Sequence, residues 1–220
     1  MIKFPPRDQY TGRPRDYSKD LHELSADASG HKFCPRFSNV LAIGLDSVSA
    51  DFTGWTGRTY SSVDAVKDVR NDPDVDEAER RIYFIEFKNR TFKDLNTQGT
   101  ACAISSALKK EEPIAQELRK KAFDSLLLSG ATIFMTEAID NIAWKAEFIV
   151  VYNDRKFKPS ESRAVEKFDT DIGALGMAGK DSYGVEVRWG LNELKRRRVF
   201  RSVHTWSIEE FNYYAPSFLR

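Results

Sequence analysis

Cysteine and histidine are scarce in this 220-residue chain, which has two of the former and three of the latter. Cys34 and Cys102 lie far apart and form no CxxC pair, so the sequence predicts neither a zinc site nor a disulfide framework. The histidines show no metal-ligand spacing either. A chain with these features is expected in a reducing cytoplasm.

Long apolar runs and an excess of one charge are also missing. No stretch is long enough to span a membrane and no signal peptide is recognised, so we expect no membrane association. With 34 basic and 33 acidic residues the net charge is +1. This balance argues against strong nonspecific affinity for DNA, although a local basic patch can still bind phosphates.

The chain is 41% hydrophobic, which is enough for a full core in a single domain. Residues 1–40 are polar and contain several prolines, which predicts an arm or long loop with a short helix near 17–24. Residues 41–220 are expected to form one α/β domain with C-terminal additions.

The stretch from Ile82 to Lys88, Ile-Tyr-Phe-Ile-Glu-Phe-Lys, carries the strongest signal for a functional site. Its aromatic and β-branched residues do not alternate with polar ones, which predicts a central strand buried on both faces. The two-residue period of a strand puts Glu86 and Lys88 on the same face. Because burying a carboxylate and an ammonium is costly, such a pair indicates partners, a metal or a catalytic role.

A third charged residue is expected on the preceding strand, predicted at 62–69 and followed by the turn Asn71-Asp72-Pro73-Asp74. If the two strands pair as an antiparallel hairpin, Asp64 can lie close to Glu86 across the ladder. Two carboxylates so close repel each other unless a cation lies between them. Oxygen ligands of this kind suit Mg²⁺, which typically takes one or two protein carboxylates and keeps several waters.

An Asp on one strand, Glu-x-Lys on the next and an amphipathic helix afterwards resemble the pattern of the PD-(D/E)xK nucleases, the superfamily of many restriction endonucleases. The resemblance covers residues 60–152, and Val63 stands where the family name has Pro. It implies an α/β (α+β) fold with a restriction-endonuclease-like mixed central β-sheet flanked by helices. It also implies a metal-dependent endonuclease that hydrolyses nucleic acid, with DNA as the expected substrate and Mg²⁺ or Mn²⁺ as cofactor. Many relatives cut both strands as dimers, which leaves a homodimer open.

Carried over residue by residue, the resemblance makes Asp64 and Glu86 metal ligands and Lys88 the catalytic lysine. The family often has a further acid on a helix before the first strand, for which Glu23 is the candidate here. The chemistry is consistent with these roles, because a divalent ion neutralises the phosphodiester and lowers the pKa of a bound water. A lysine beside carboxylates can stabilise charge in the transition state, and whether it also acts as a base stays open.

A helix is predicted from 112 to 129, with Pro113 in its first turn and Gly130 just past its end. One stripe of this helix is expected to pack on the sheet, and the segment 126–128 to be buried on most sides. The stripe consists of Ala115, Leu118, Ala122 and Leu126. Lys120 and Lys121 lie elsewhere and are candidate phosphate contacts, with a solvated helix face as the alternative.

Other elements follow the same kinds of signal. The polar stretch 89–111 predicts a long connection that covers the cleft. We expect strands at 131–135, 144–152 and 199–206 and a helix within 160–178. The capping-box signature of Ser207-Ile208-Glu209-Glu210 predicts a short last helix.

A dense basic run precedes the last predicted strand. It contains Arg196, Arg197 and Arg198 after Lys195, with Arg201 close behind. The run can contact nucleic-acid phosphates, although such runs are usually solvated surface. The neighbouring His204 is expected to pack or to lie on the surface rather than act as a catalytic base.

Three alternatives to a nuclease stay open at this point. Glu-x-Lys is a common pattern in a chain that is 30% charged, and it can form a structural ion pair or lie on an exposed edge strand. The chain can also be a noncatalytic protein of the same fold that binds nucleic acid or a protein partner. Finally, an α/β protein with an unrelated pocket would place Asp64 and Glu86 far apart.

Overall fold

The computed structural model describes residues 16–26, 32, 35–88, 101–152 and 191–219. Within these ranges six strands form one sheet. They are β1 (Ser18–Asp20), β2 (Leu41–Gly44), β3 (Ala65–Asp68), β4 (Ile82–Lys88), β5 (Ala146–Tyr152) and β6 (Ser202–Ser207). The α-helices of the same ranges are α1 (Leu21–Leu24), α2 (Leu45–Thr56), α3 (Ala101–Thr132), α4 (Ile139–Lys145), α5 (Asn192–Arg196) and α6 (Ile208–Tyr214).

The sheet is mixed, and its strands are arranged in chain order from β1 to β6. Strands β1 to β4 pair antiparallel, each with the next along the chain. Strand β5 pairs parallel with β4, and β6 pairs parallel with β5. The return from β4 to β5 passes through α3 and α4, the kind of crossover that a parallel pair requires. The predicted mixed central β-sheet flanked by helices is therefore confirmed.

Apolar side chains cover both faces of the sheet, which makes three layers. One face of β4, with Ile82 and Phe84, belongs to a buried cluster that includes residues of α2, α3, α4 and α5. The opposite face, with Tyr83 and Ile85, packs in a second cluster with residues of α1 and α6. Because both faces are covered, the four residues from Ile82 to Ile85 are all apolar or aromatic and all buried.

The central hairpin confirms the main prediction from the sequence. Strand β4 occupies the predicted residues, and all but its last residue are buried. Strand β3 is shorter than predicted and begins one residue after Asp64. Its register pairs Ala65 with Ile85, so the next position along the hairpin sets Asp64 opposite Glu86.

Helix α3 differs from the prediction at both ends. It begins at Ala101 instead of 112, so Pro113 lies inside the helix and the second half of the predicted 89–111 connection is helical. Alanine, leucine, lysine and glutamate residues before Pro113 favour the helix enough to tolerate one lost hydrogen bond. The predicted apolar stripe is buried, whereas Leu127, expected to be buried, is exposed.

The predicted strand at 131–135 is wrong. Residues 131 and 132 complete α3, and a turn follows in which Ile133 and Phe134 donate backbone hydrogen bonds to Ser129. A short apolar run cannot be assigned to strand or helix from periodicity alone. Gly130 does not end the helix. A Cβ there would lie 3.1 Å from Cγ1 of Ile139, so the glycine allows α4 to pack closely against α3.

Strand β5 confirms most of the strand predicted at 144–152. The first two residues of that predicted segment, 144 and 145, belong to the end of α4 instead. Strand β6 begins at Ser202, three residues later than predicted. The capping box is present: the Ser207 hydroxyl accepts from the backbone of Glu210, whose carboxylate accepts from the backbone of Ser207.

The segment predicted as an N-terminal arm contributes β1 and the predicted short helix, found at Leu21–Leu24. The helix predicted within 160–178 lies outside the described residues. None of the described helices combines the length and apolar character needed to cross a membrane.

Candidate active site

Glu86 is the centre of a buried cluster of charges at the end of β4. Its side chain is 1% exposed, and its carboxylate receives two ammonium groups. Nζ of Lys88 lies 2.9 Å from Oε1, while Nζ of Lys121 lies 2.8 Å from Oε1 and 3.1 Å from Oε2. Lys88 also donates to Glu117 at 2.6 Å. The predicted pair on β4 is therefore part of a four-residue ionic network between sheet and helix.

Asp64 lies across the hairpin from Glu86 and is partly buried. Its Oδ2 accepts the backbone N–H of Phe87 at 2.6 Å, so the carboxylate takes the place of a further ladder hydrogen bond. Burial and the nearby charge of Glu86 raise the pKa of Asp64 well above its ordinary value, against the opposite effects of Lys121 and of the Phe87 N–H.

For the two lysines of the cluster, the effect of neighbouring charges on the pKa outweighs the effect of burial. Burial by itself lowers the pKa of Lys88, but the charge of Glu86 and the hydrogen bond to Glu117 outweigh it and leave the pKa raised. The pKa of Lys121 is also raised, because the carboxylates of Glu86 and Asp64 outweigh the effect of burial. Both side chains are therefore ammonium ions at neutral pH in this arrangement.

Helix α3 holds the segment before Asp64 in place. The Ser125 hydroxyl accepts the backbone N–H of Val63 at 2.9 Å, and Asp124 accepts that of Ser61 at 2.8 Å. These bonds satisfy donors that precede β3 and have no strand partner. The helix thus positions Asp64 and, through Lys121, contacts Glu86 directly.

Two charged neighbours of the cluster were not predicted. Asp46, in the first turn of α2, accepts a hydrogen bond from Ser62, and its charge acts on both Asp64 and Lys121. Its position in a helix directly before β3 was the signal that could have identified it. Glu117 lies one helical turn before Lys121, but it joins the network through Lys88, a contact between α3 and β4 that spacing along the helix does not indicate.

Lys121 itself was named only as a candidate phosphate contact. In the structure its ammonium binds Glu86. It follows Leu118 by three residues and precedes Ala122, so it flanks the buried stripe of α3. This flanking position was the sequence signal for a half-buried cation.

Two other predicted residues lie outside the cluster. Glu23 is 56% exposed and pairs with Lys32, so the structure does not bring it to Asp64 and Glu86. Lys120 is 58% exposed, pairs with Asp124 and donates to Ser61 at 2.6 Å. It lies on the surface beside the segment that leads to Asp64.

The basic run lies at the other end of the sheet. It directly precedes β6, whose first residue pairs with the beginning of β5, whereas Glu86 and Lys88 lie where β4 ends. Arg196 and Arg197 are exposed and pair with Glu193, and Arg198 is exposed with a φ of 53°. The side chains of this run are therefore not part of the ionic network.

The carboxylates of Asp64 and Glu86 are the donors that this cluster offers to a metal. Mg²⁺ needs only one or two protein carboxylates and fills its other positions with water. Burial and the charge of Glu86 raise the pKa of Asp64, and a divalent cation bound beside the two acids would act in the opposite direction. The donor set therefore fits a hard divalent ion, although no group of three or more His, Cys, Asp or Glu side chains in the described ranges is arranged to hold one.

Comparisons of the chain with protein-family models, with curated proteins and with solved structures found no match.

Proposed function

We propose that the protein is a metal-dependent phosphodiesterase of the PD-(D/E)xK type that hydrolyses nucleic acid. The observation that carries the proposal is the pairing of β3 with β4, which sets Asp64 opposite Glu86 with the ammonium of Lys88 2.9 Å from the Glu86 carboxylate. A structural ion pair needs no second carboxylate with a raised pKa. A buried acid with a raised pKa beside a second carboxylate and a lysine is instead typical of sites that bind a cation and act on an anion.

In this proposal Asp64 and Glu86 hold Mg²⁺ or Mn²⁺. The ion, when bound, neutralises the phosphodiester and lowers the pKa of the attacking water. Lys88 keeps its bond to Glu117 and presents a fixed positive charge beside the reacting phosphate. Its role is therefore to orient the water and to stabilise charge in the transition state, rather than to accept a proton.

DNA is the first substrate to test. We place the protein in a reducing cytoplasm, and a homodimer is one assembly that would cut both strands. Lys120 is the exposed cation closest in sequence to the ionic network and is proposed to contact a phosphate near the site. The basic run of Arg196, Arg197 and Arg198, at the other end of the sheet, would contact the nucleic acid farther away.

The proposal is tested with a panel of single-stranded and duplex DNA and RNA, incubated with EDTA, Mg²⁺ or Mn²⁺. The wild type is compared with Lys88→Ala and with a control, Lys145→Ala, in which an exposed lysine at the end of α4 is removed. We expect metal-dependent cleavage by the wild type and the control and a loss of at least about a hundredfold in Lys88→Ala. Cleavage that survives in correctly folded Lys88→Ala contradicts the assignment.

A second function is supported by the ion pairs of Glu86, whose charge two lysines already neutralise. In this alternative the protein keeps the network for structure and binds nucleic acid or a protein partner without cleavage. Calorimetric titration with Mn²⁺ separates the two functions. Binding that Glu86→Ala removes supports the enzyme, and absence of binding to the wild type supports the noncatalytic protein.

A further inference from the structure

Lys121 forms an ion pair with Glu86, one of the two proposed metal ligands. Its Nζ lies within hydrogen-bond distance of both carboxylate oxygens, at 2.8 and 3.1 Å. Asp64 and Asp46 also act on its charge. Together with Lys88, this ammonium supplies the positive charge that faces the three acids in the metal-free protein.

Lys88 and Lys121 differ in the carboxylate partners that would remain to them if a metal ion bound Glu86. Lys88 has a second carboxylate partner in Glu117, at 2.6 Å. Within the described part of the chain, the hydrogen bonds of Lys121 go only to Glu86. A lysine has a flexible four-carbon stem, so its ammonium can move away from a carboxylate without movement of α3.

We propose that Lys121 is an internal cation of the metal-free protein, and that a divalent ion binds Asp64 and Glu86 only by displacing this ammonium from Glu86. This inference rests on the proposed metal site and deepens it, because it makes Lys121 the residue that sets the affinity for metal. Lys121 acts here as a positioning and gating residue, and its effect is measured on metal binding rather than on cleavage.

The first test is calorimetric titration of Mn²⁺ into four proteins: wild type, Lys121→Met, Lys120→Met and Glu86→Gln. Methionine keeps most of the length of lysine but removes the competing charge. We expect Lys121→Met to bind Mn²⁺ about tenfold more tightly than the wild type, since an ammonium no longer has to leave the buried carboxylate of Glu86. Lys120→Met, the adjacent lysine that pairs with Asp124, is expected to bind Mn²⁺ as the wild type does.

The second test uses the wild type and does not depend on the folding of a variant. Lysine residues are methylated reductively under limiting conditions, with and without Mg²⁺, and the modification of each residue is quantified by mass spectrometry. We expect Mg²⁺ to increase the modification of Lys121 several-fold, because displacement from Glu86 exposes the amine to the reagent. The modification of Lys120 is expected to stay constant.

The outcomes separate this inference from the proposed function. If the wild type binds Mn²⁺ and Glu86→Gln does not, while folded Lys121→Met binds no more tightly, the metal site stands and the gating role of Lys121 is wrong. When the variant does not fold, unchanged modification of Lys121 at saturating Mg²⁺ likewise refutes the gating role. If no protein, including Lys121→Met, binds Mn²⁺ or Mg²⁺, both the metal site and the inference are refuted.

Discussion

Replacing Asp64 by asparagine is expected to stabilise the metal-free protein. The carboxylate of Asp64 lies opposite Glu86, and its pKa is raised by burial and by that neighbouring charge. Asparagine removes the repulsion, and its side-chain oxygen can still accept the N–H of Phe87. We therefore expect Asp64→Asn to abolish the proposed metal-dependent cleavage and to raise the free energy of unfolding. This combination is expected of a residue that is retained for activity rather than for stability.

The magnitude follows from the geometry of the hairpin. Directly opposed residues place their charges about 5 Å apart, and two like charges at that distance repel by about 3 kcal/mol at an effective dielectric constant of about 20. Lys121 offsets part of this repulsion. We therefore expect Asp64→Asn to raise the free energy of unfolding by about 1–2 kcal/mol at pH 7.

Urea denaturation in EDTA measures this difference, with Asp140→Asn as a control at an exposed aspartate. Because the pKa of Asp64 is raised in the folded state, the folded protein retains a proton that the unfolded chain has lost. The advantage of Asp64→Asn should thus be smallest near pH 3.8, the ordinary value for aspartate, and grow as the pH rises towards the folded pKa. An unfolding midpoint at pH 7 equal to or below that of the wild type would refute the reasoning.

Two further substitutions test other parts of the structure. Glu86→Gln should lower the free energy of unfolding by about 3 kcal/mol, because it leaves Lys121 without its carboxylate and weakens the pairing of Lys88. The control is Glu209→Gln at an exposed glutamate, and urea denaturation measures both variants. A loss of unfolding free energy in Glu86→Gln no larger than in the control would contradict the buried network. Ser207→Ala should lower the free energy of unfolding by about 1 kcal/mol, because it removes the capping box at the start of α6. Thermal unfolding measures the change, with Ser38→Ala at an exposed serine as the control. Equal unfolding midpoints for the two variants would argue against the cap.

Elements marked by a local pattern were predictable from the sequence. Aromatic and β-branched residues on both faces identified β4, and hairpin pairing then placed Asp64 opposite Glu86. The capping box identified the start of α6. Such patterns act over a few residues and keep their meaning in any tertiary context. Boundaries that depend on packing were not predictable: Gly130 looked like a helix end, although it marks the close approach of α4.

The same distinction holds within the candidate site. Asp64, Glu86 and Lys88 could be named because the period of a strand and the register of a hairpin bring them together. The contact of Lys121 with Glu86 spans 35 residues of sequence and depends on how α3 lies across the sheet. The position of Asp46 likewise depends on helix packing, because α2 holds its carboxylate close enough to raise the pKa of Asp64.

The amino-acid pattern alone thus determined that the β3–β4 hairpin brings the two acids together. It also determined that Glu86 and Lys88 share one face of β4, because side-chain direction alternates with every residue. Only the tertiary structure decided how those charges are balanced. Helix packing depends on the shapes of many distant side chains, and it placed a lysine, rather than another acid, against the most buried carboxylate.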